Sequence, residues 1–392
     1  MKIKYPYSKQ NINNKDIEAV IRSLKSDYLT QGLELKNFEK ELAKKMGCNF
    51  ATVVSSGTAA LHISYRILGI GKSSNIVTSP ITFLSTANAA KFLNSKVYFT
   101  DVDKFSGLMT EKTLVQSLNK LNAKVSVVVP VHLAGRSCEM YKIHMEAKKR
   151  NLKIIEDASH APLAKYNDNK GNIYNVGSCA HSEITIMSLH AIKHIAMGEG
   201  GVILTNSIKI QTEAQKLRNH GMIKDNKLWI GKAAKKEASW YYEMHDIGWN
   251  YRATEMQCAL GRAQLKKLES SILERQKIAK FYEKLLKDTD NICIPNKRFK
   301  TERHSFHLYS VQINFSKLQK SKIEIINYLK KYGIGTQVHY IPLFYQPYYK
   351  ENEKKYPSAA FYYEGTLSLP MYVGLEKKDI IYIVRKLKEA IN

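Results

Sequence analysis

Between residues 75 and 205, short apolar runs alternate with helical patterns, and this alternation constrains the fold more than any other feature of the chain. Strand-like runs fall at Asn75–Ser79, Lys96–Asp101, Lys124–Val131, Lys153–Glu156, Ser182–Met187 and Gly201–Thr205. Between them, apolar residues recur at helical spacing, as in Leu114, Leu118 and Leu121, and again in Met140, Ile143 and Ala147. Such an order predicts a mostly parallel sheet with helices on both faces. In sheets of this kind a ligand sits beyond the carboxyl ends of the strands.

Ile17, Val20, Ile21 and Leu24 predict an amphipathic helix over 14–27, and Leu61, Tyr65 and Leu68 predict another after Gly57. From about residue 255 the pattern changes. A long helix over Met256–Lys287 is followed by a strand at His307–Ile313, a helix at Lys320–Tyr332, a strand near Gly335–Tyr340 and a last helix from Lys377. This predicts a large α/β domain over 1–255 and a smaller α+β domain over 256–392, which a chain of 392 residues can accommodate.

Other classes are set aside by composition. No apolar run approaches the ~20 residues needed to cross a bilayer. Met1 to Gln10 lacks the continuous apolar core of a signal peptide. Five scattered cysteines, odd in number and without a CxxC pair, point away from a disulfide framework or a thiolate metal site and toward a reducing cytoplasm. The formal charge of +26 invites a nucleic-acid reading. However, the lysines are spread along the whole chain among many Asn and Ile residues, the mark of compositional bias rather than of a binding stripe.

Five segments carry chemistry. In Ser188-Leu189-His190-Ala191-Ile192-Lys193, followed by Gly198-Glu199-Gly200-Gly201, a lysine stands just past an apolar strand. It reads either as a solvated lysine or as a Schiff-base lysine, which needs a low pKa and a fixed position. Asp157, at the end of Ile154-Ile155-Glu156-Asp157, reads as a helix cap or as the acid that keeps a pyridine nitrogen protonated, with His160 in reach of the same ligand. Ser55-Ser56-Gly57-Thr58-Ala59 turns from a strand end into a helix, where backbone N–H groups and hydroxyls suit one phosphate. Phe83, past another strand end, could stack on a flat ring or fill core. Gly248-Trp249-Asn250-Tyr251-Arg252 sets polar groups between aromatics before a helix, where they bind an anion or face solvent.

In this combination and order the sequence resembles the DegT/DnrJ family of sugar-nucleotide aminotransferases, nearly end to end, from Tyr28-Leu29-Thr30-Gln31-Gly32 to Leu367-Ser368-Leu369-Pro370-Met371. The resemblance implies the fold-type-I architecture of pyridoxal 5'-phosphate enzymes, with a mostly parallel seven-stranded sheet in the large domain. It implies Lys193 as the Schiff-base lysine, Asp157 as the acid on the pyridine nitrogen and His160 at the phenolic oxygen. Phe83 matches the stacking aromatic, and Thr58, Ala59 and Ser188 the phosphate cup. Asn250 matches a residue that reaches the phosphate from the neighbouring subunit, so a homodimer with shared sites is implied. Tyr7, Thr30, Gln31, His190, Arg252, His339 and Tyr340 lie in segments that line the sugar-nucleotide side.

The implied reaction moves an amino group from L-glutamate to carbon 4 of a UDP-linked 4-keto-6-deoxy-N-acetylhexosamine, on the route to pseudaminic acid. A perosamine-type or bacillosamine-type keto-sugar is the alternative. A regulator or nucleic-acid binder on the same fold would not need the lysine, the acid and the phosphate cup together. The chain departs from the family in two places. Ala196-Met197 replaces a usual pair of threonines, and Leu189 replaces a usual Phe.

Overall fold

The computed structural model describes residues 3–231, 239–295 and 302–392. In chain order its strands begin with β1 (Phe50–Val54), β2 (Asn75–Thr78), β3 (Lys96–Phe99), β4 (Val125–Val129) and β5 (Lys153–Asp157). A hairpin of β6 (Lys165–Asn167) and β7 (Ile173–Asn175) follows, then β8 (Ile184–Ser188) and β9 (Gly201–Thr205). Seven of these form one sheet in the order β1-β9-β8-β5-β4-β2-β3. β9 runs antiparallel to both its neighbours, and the other pairings are parallel. The central strands are buried on both faces, which is why they read as continuous Val and Ile runs rather than as alternating patterns.

The helices of this half are α1 (Asn14–Leu24), α2 (Leu33–Met46), α3 (Gly57–Ile67), α4 (Ser85–Lys91), α5 (Glu111–Lys120), α6 (Met140–Lys149) and α7 (Ile208–Arg218). A short ladder of β10 (Met222–Ile223) and β11 (Glu243–Met244) leads to α8 (Glu255–Leu286). Then come β12 (Ile292–Cys293), β13 (Tyr309–Ile313), α9 (Lys322–Lys331), α10 (Pro357–Gly365), β14 (Thr366–Leu369) and α11 (Lys377–Ile391). The strands β12, β13 and β14 make a separate antiparallel sheet. No helix of the described residues is long and apolar enough to cross a membrane.

Two hydrophobic cores result. The first surrounds the large sheet, and the second joins β12–β14 to α9 and α11. α8 enters both: Cys258, Leu265, Leu268 and Ile272 belong to the first, Ile278, Ala279, Tyr282 and Leu286 to the second. Tyr5 also lies in the second core, tied there by hydrogen bonds between residues 4–5 and Gly333 and between Gly335 and Tyr5. Leu343, Phe344, Ala359 and Tyr362 return to the first.

One expectation is corrected. The segment Gly335–Tyr340 is no strand. Besides the bond from Gly335 to Tyr5, it makes one pair of backbone hydrogen bonds, between Gln337 and Ser368, and then leaves the sheet toward Pro342, which has no N–H to continue a ladder. α1 has the expected amphipathic pattern, with its apolar face turned outward. Its buried residues are Asp16 and Ser23, while Ile17, Ile21 and Leu24 are exposed at 50%, 45% and 53%. The Asp16 carboxylate faces α8, pairing with Lys267 at 2.6 Å.

Candidate active site

The carboxyl ends of β1, β2, β5 and β8 open onto one cavity of about 700 Å³, large enough for a drug-sized ligand. Ten of the residues singled out from sequence line it: Tyr7, Thr58, Phe83, Asp157, His160, Ser188, His190, Lys193, His339 and Tyr340. Lys193 stands on the connection between the antiparallel strands β8 and β9. Hydrogen bonds from Leu189 N to Gly200 O (2.8 Å) and from Ala191 N to Gly198 O (2.8 Å) carry the ladder past the strand ends and fix that loop. Among the described residues the Lys193 amine makes no ion pair. Desolvation lowers its pKa to about 8, and the charge of Asp157 partly opposes that shift.

Asp157 ends β5. Its Oδ2 accepts from Thr86 Oγ1 at 2.8 Å and its Oδ1 from Ser159 N at 3.2 Å. Since Thr86 donates there, the 2.8 Å contact between Thr86 and Thr82 must run from Thr82 to Thr86. Thr86 was not apparent from sequence: it lies in the first turn of α4, and Thr82 in the bend before that helix.

The start of α3 faces the same space. Ser56 caps it, taking Ala59 N onto Oγ at 3.1 Å, so Gly57 and Thr58 rather than Ala59 present open amides to the cavity. Gly201 makes this approach possible. A Cβ there would overlap the Ser56 carbonyl oxygen and lie 2.8 Å from Gly57 N. With that room, Ser188 stands beside the α3 N-terminus, an anion cradle of amides and hydroxyls.

His160 is enclosed. Its Nδ1 takes Ala134 N–H at 3.3 Å, its Nε2 lies 3.0 Å from Tyr340 Oη, and the His307 ring lies 4.3 Å from its own. Burial first, then the Lys193 charge, holds His160 well below the ordinary histidine range, and the same two causes bring His339 to about 3. His307, a cavity residue that the sequence marked only as the start of a strand, is held low by burial and then by His160. Phe83 is exposed at the mouth, its ring 6.2 Å from that of Tyr340. His190 and Glu199 face each other at 3.7 Å on the rim.

Four of the singled-out residues lie elsewhere. Thr30 pairs with Thr254, Asn250 pairs with Asn219, and Arg252 also bonds Asn219, while Gln31 is exposed beside Thr30. They cluster around the start of α8, outside the cavity. Trp240, Tyr241 and Tyr242 line a second cleft with Trp229 rather than this one. The departures Leu189, Ala196 and Met197 are all buried and do not line the cavity. Met197 runs under the lysine loop against Gly261 of α8, where a Cβ would come within 2.8 Å of its Cγ.

A strand-end lysine, a buried carboxylate and an anion cradle on this sheet define a pyridoxal phosphate-dependent aminotransferase of fold type I. The chain belongs to the DegT/DnrJ/EryC1/StrS aminotransferase family, whose model matches residues 10–388. It is 35% identical over 380 residues to the UDP-4-amino-4,6-dideoxy-N-acetyl-beta-L-altrosamine transaminase of Campylobacter jejuni, covering 96% of this chain and 95% of that protein. It is 34% identical over 396 residues to the spore coat polysaccharide biosynthesis protein SpsC of Bacillus subtilis, covering 99% and 97%. Among solved structures, Helicobacter pylori PseC, an aminotransferase involved in pseudaminic acid biosynthesis, superposes with a TM-score of 0.87 at 29% identity, covering 99% of both chains.

Proposed function

We propose that this chain moves an amino group from L-glutamate to carbon 4 of a UDP-linked 4-keto-6-deoxy-N-acetylhexosamine, as a homodimer with shared active sites. The observation that carries the reading is the meeting of Lys193, Asp157 and the open start of α3 in one cavity. The names of the Campylobacter and Helicobacter relatives support the sugar class. The cavity's groups fit the cofactor's three handles. The amides of Gly57 and Thr58 with Ser188 would hold its phosphate, Asp157 its ring nitrogen and Phe83 one ring face.

When bound, pyridoxal phosphate supplies an aldehyde that carries the amino group and a ring that takes up the electrons released with a proton. The residues do the rest. Asp157, kept on target by Thr86, holds positive charge at the ring nitrogen. Lys193, with a pKa near the working pH, serves as the base that takes the donor's α-proton and as the acid that returns one at sugar carbon 4. Tyr7, His190, His339 and Tyr340 orient the sugar-nucleotide.

The dimer reading has separate support. Thr30, Gln31, Asn250 and Arg252 lie outside the cavity of their own chain, and α1 turns an apolar face outward that continues into exposed Tyr28, Leu29 and Leu33. Asn250 would then serve the partner's phosphate site.

The test is spectral and chemical. Purified protein should gain a visible absorbance band with pyridoxal phosphate, and Lys193→Ala should lack it. With glutamate and UDP-4-keto sugars of each configuration, NMR should identify a 4-amino product. A protein that stays colourless, or that aminates none of these sugars, overturns the reading.

A further inference from the structure

We propose that the turn at Ala134 and the ring of His160 form a positioning device that sets the direction of one hydrogen bond, so that the Tyr340 hydroxyl points its proton into the cavity toward a bound oxygen acceptor. This rests on the aminotransferase reading above and adds a donor to it.

The argument begins at Ala134. A backbone N–H can only donate, so at 3.3 Å from His160 Nδ1 it requires that nitrogen to be bare. A neutral imidazole then carries its hydrogen on Nε2. That nitrogen faces Tyr340 Oη at 3.0 Å, so the ring donates and the phenol oxygen accepts. The phenol's own hydrogen must go elsewhere, and Tyr340 lines the cavity alongside Lys193 and Asp157. The opposite tautomer would set two N–H groups against each other at Ala134. Tyr340 would then spend its proton on His160 and offer the cavity no donor.

The device is built rather than incidental. Ala134 sits at φ 60°, a left-handed conformation that a residue with a Cβ adopts only when its surroundings impose it. Here the constraint is the stretch before β13: Ser305 N donates to Gly135 O at 2.8 Å and Leu308 N to Ala134 O at 3.2 Å. The same stretch supplies His307, whose ring lies on His160 at 4.3 Å and 33°. Both imidazoles are buried, at 5% and 1% exposure, and neither has a carboxylate partner among the described residues. Burial also pushes the Tyr340 phenol up, so it stays protonated. Two oxygens fit the donor: the keto oxygen of the sugar and the phenolic oxygen of the cofactor.

The first measurement is on the wild-type enzyme. With ¹⁵N-labelled histidine, and His160 assigned by the signals lost in His160→Asn, Nε2 should carry the hydrogen and Nδ1 should be bare. The reverse tautomer, or a doubly protonated ring near neutral pH, overturns the proposal. The second measurement times the two half-reactions in Tyr340→Phe. Slowing on the order of 10- to 100-fold in the sugar half alone assigns the donor to the keto oxygen; equal slowing in both halves, with a shifted visible band, assigns it to the phenolic oxygen. Neither half slowed overturns it. His160→Asn should slow the same step, and the double variant should be no slower than Tyr340→Phe, because both remove one device. Additive losses overturn that coupling. If no sugar is aminated at all, the tautomer measurement still decides the hydrogen bond, so the two readings fail separately.

Discussion

Lys193 is held near pH 8 by two opposed causes, and this yields testable consequences. Desolvation favours the neutral amine, whereas Asp157 favours the ammonium. Capture of pyridoxal phosphate by cofactor-free protein should therefore speed up with rising pH and level off above about 8. Asp157→Asn removes the charge that supports the ammonium, so the midpoint should move to lower pH; an upward move would contradict the assignment. The sign for stability follows by linkage. Because the folded pKa lies below the free value of 10.5, stability rises with pH between about 8 and 10.5, and below that window the buried ammonium is a cost. Lys193→Met should thus raise the melting temperature of cofactor-free protein at pH 7. Thr86→Val keeps the shape but removes a donor from Asp157; about 1–2 kcal/mol of stability and a weaker hold on the cofactor should be lost, read by chemical denaturation and by titration with the cofactor. At this scale the sequence was informative where a residue ends a strand or lies in the loop just past it, as Asp157 and Lys193 do. Thr86 and His307 escaped because their roles depend on what stands opposite: residues 71 and 147 positions away, Asp157 and His160, which no local pattern connects to them.

Among the elements, two long-range contacts set the site's frame. α3 approaches β9 only because residue 201 has no side chain, so Gly201→Ala should force the α3 N-terminus away. We expect a cost of about 1–3 kcal/mol and weakened cofactor phosphate binding, measured by unfolding and by titration with inorganic phosphate. α2 has a glycine at its N-cap and no cap of its own. The Glu255 carboxylate, at the head of α8, supplies one, accepting from Glu34 N at 2.7 Å and Leu35 N at 3.3 Å. Glu255→Ala should cost about 1–2 kcal/mol in thermal or chemical unfolding, and no measurable cost would mean that water serves as well. The large sheet was legible because its buried strands are unbroken apolar runs. The outward turn of α1 was not, since periodicity separates a helix's two faces without saying which goes inside, and here the polar face packs on α8 with Asp16 paired to Lys267. Nor was the small sheet fully legible. Its strands start at residues 292, 309 and 366, and the last is only four residues long.

For the whole molecule, the placement of Asn250 outside its own cavity makes a quantitative prediction about mixed dimers. Lys193→Ala and Asn250→Ala proteins should each be defective alone. When unfolded and refolded together, half the dimers pair one of each, and one of their two sites is intact. Activity should recover to roughly a quarter of wild type. No recovery, with mixed dimers present by mass, would place Asn250 in its own chain's site or in none. Sequence periodicity said nothing of this, and the expectation for Asn250 came from the family resemblance alone, because a residue that serves another copy would leave no trace in the spacing of its own chain.

The lysine and the acid are rooted in the large sheet, whereas Gln337 to Gln346, across the cavity, comes from the stretch that leaves the small sheet at Ser368. On the proposed function, and Tyr340 apart, chemistry and selection thus have separate addresses in one gene. Drift or grafting in that ten-residue stretch that keeps Tyr340 could retune which sugar is accepted while the amine-transfer apparatus stays as it is. A lineage could therefore explore new glycans without first losing its catalyst.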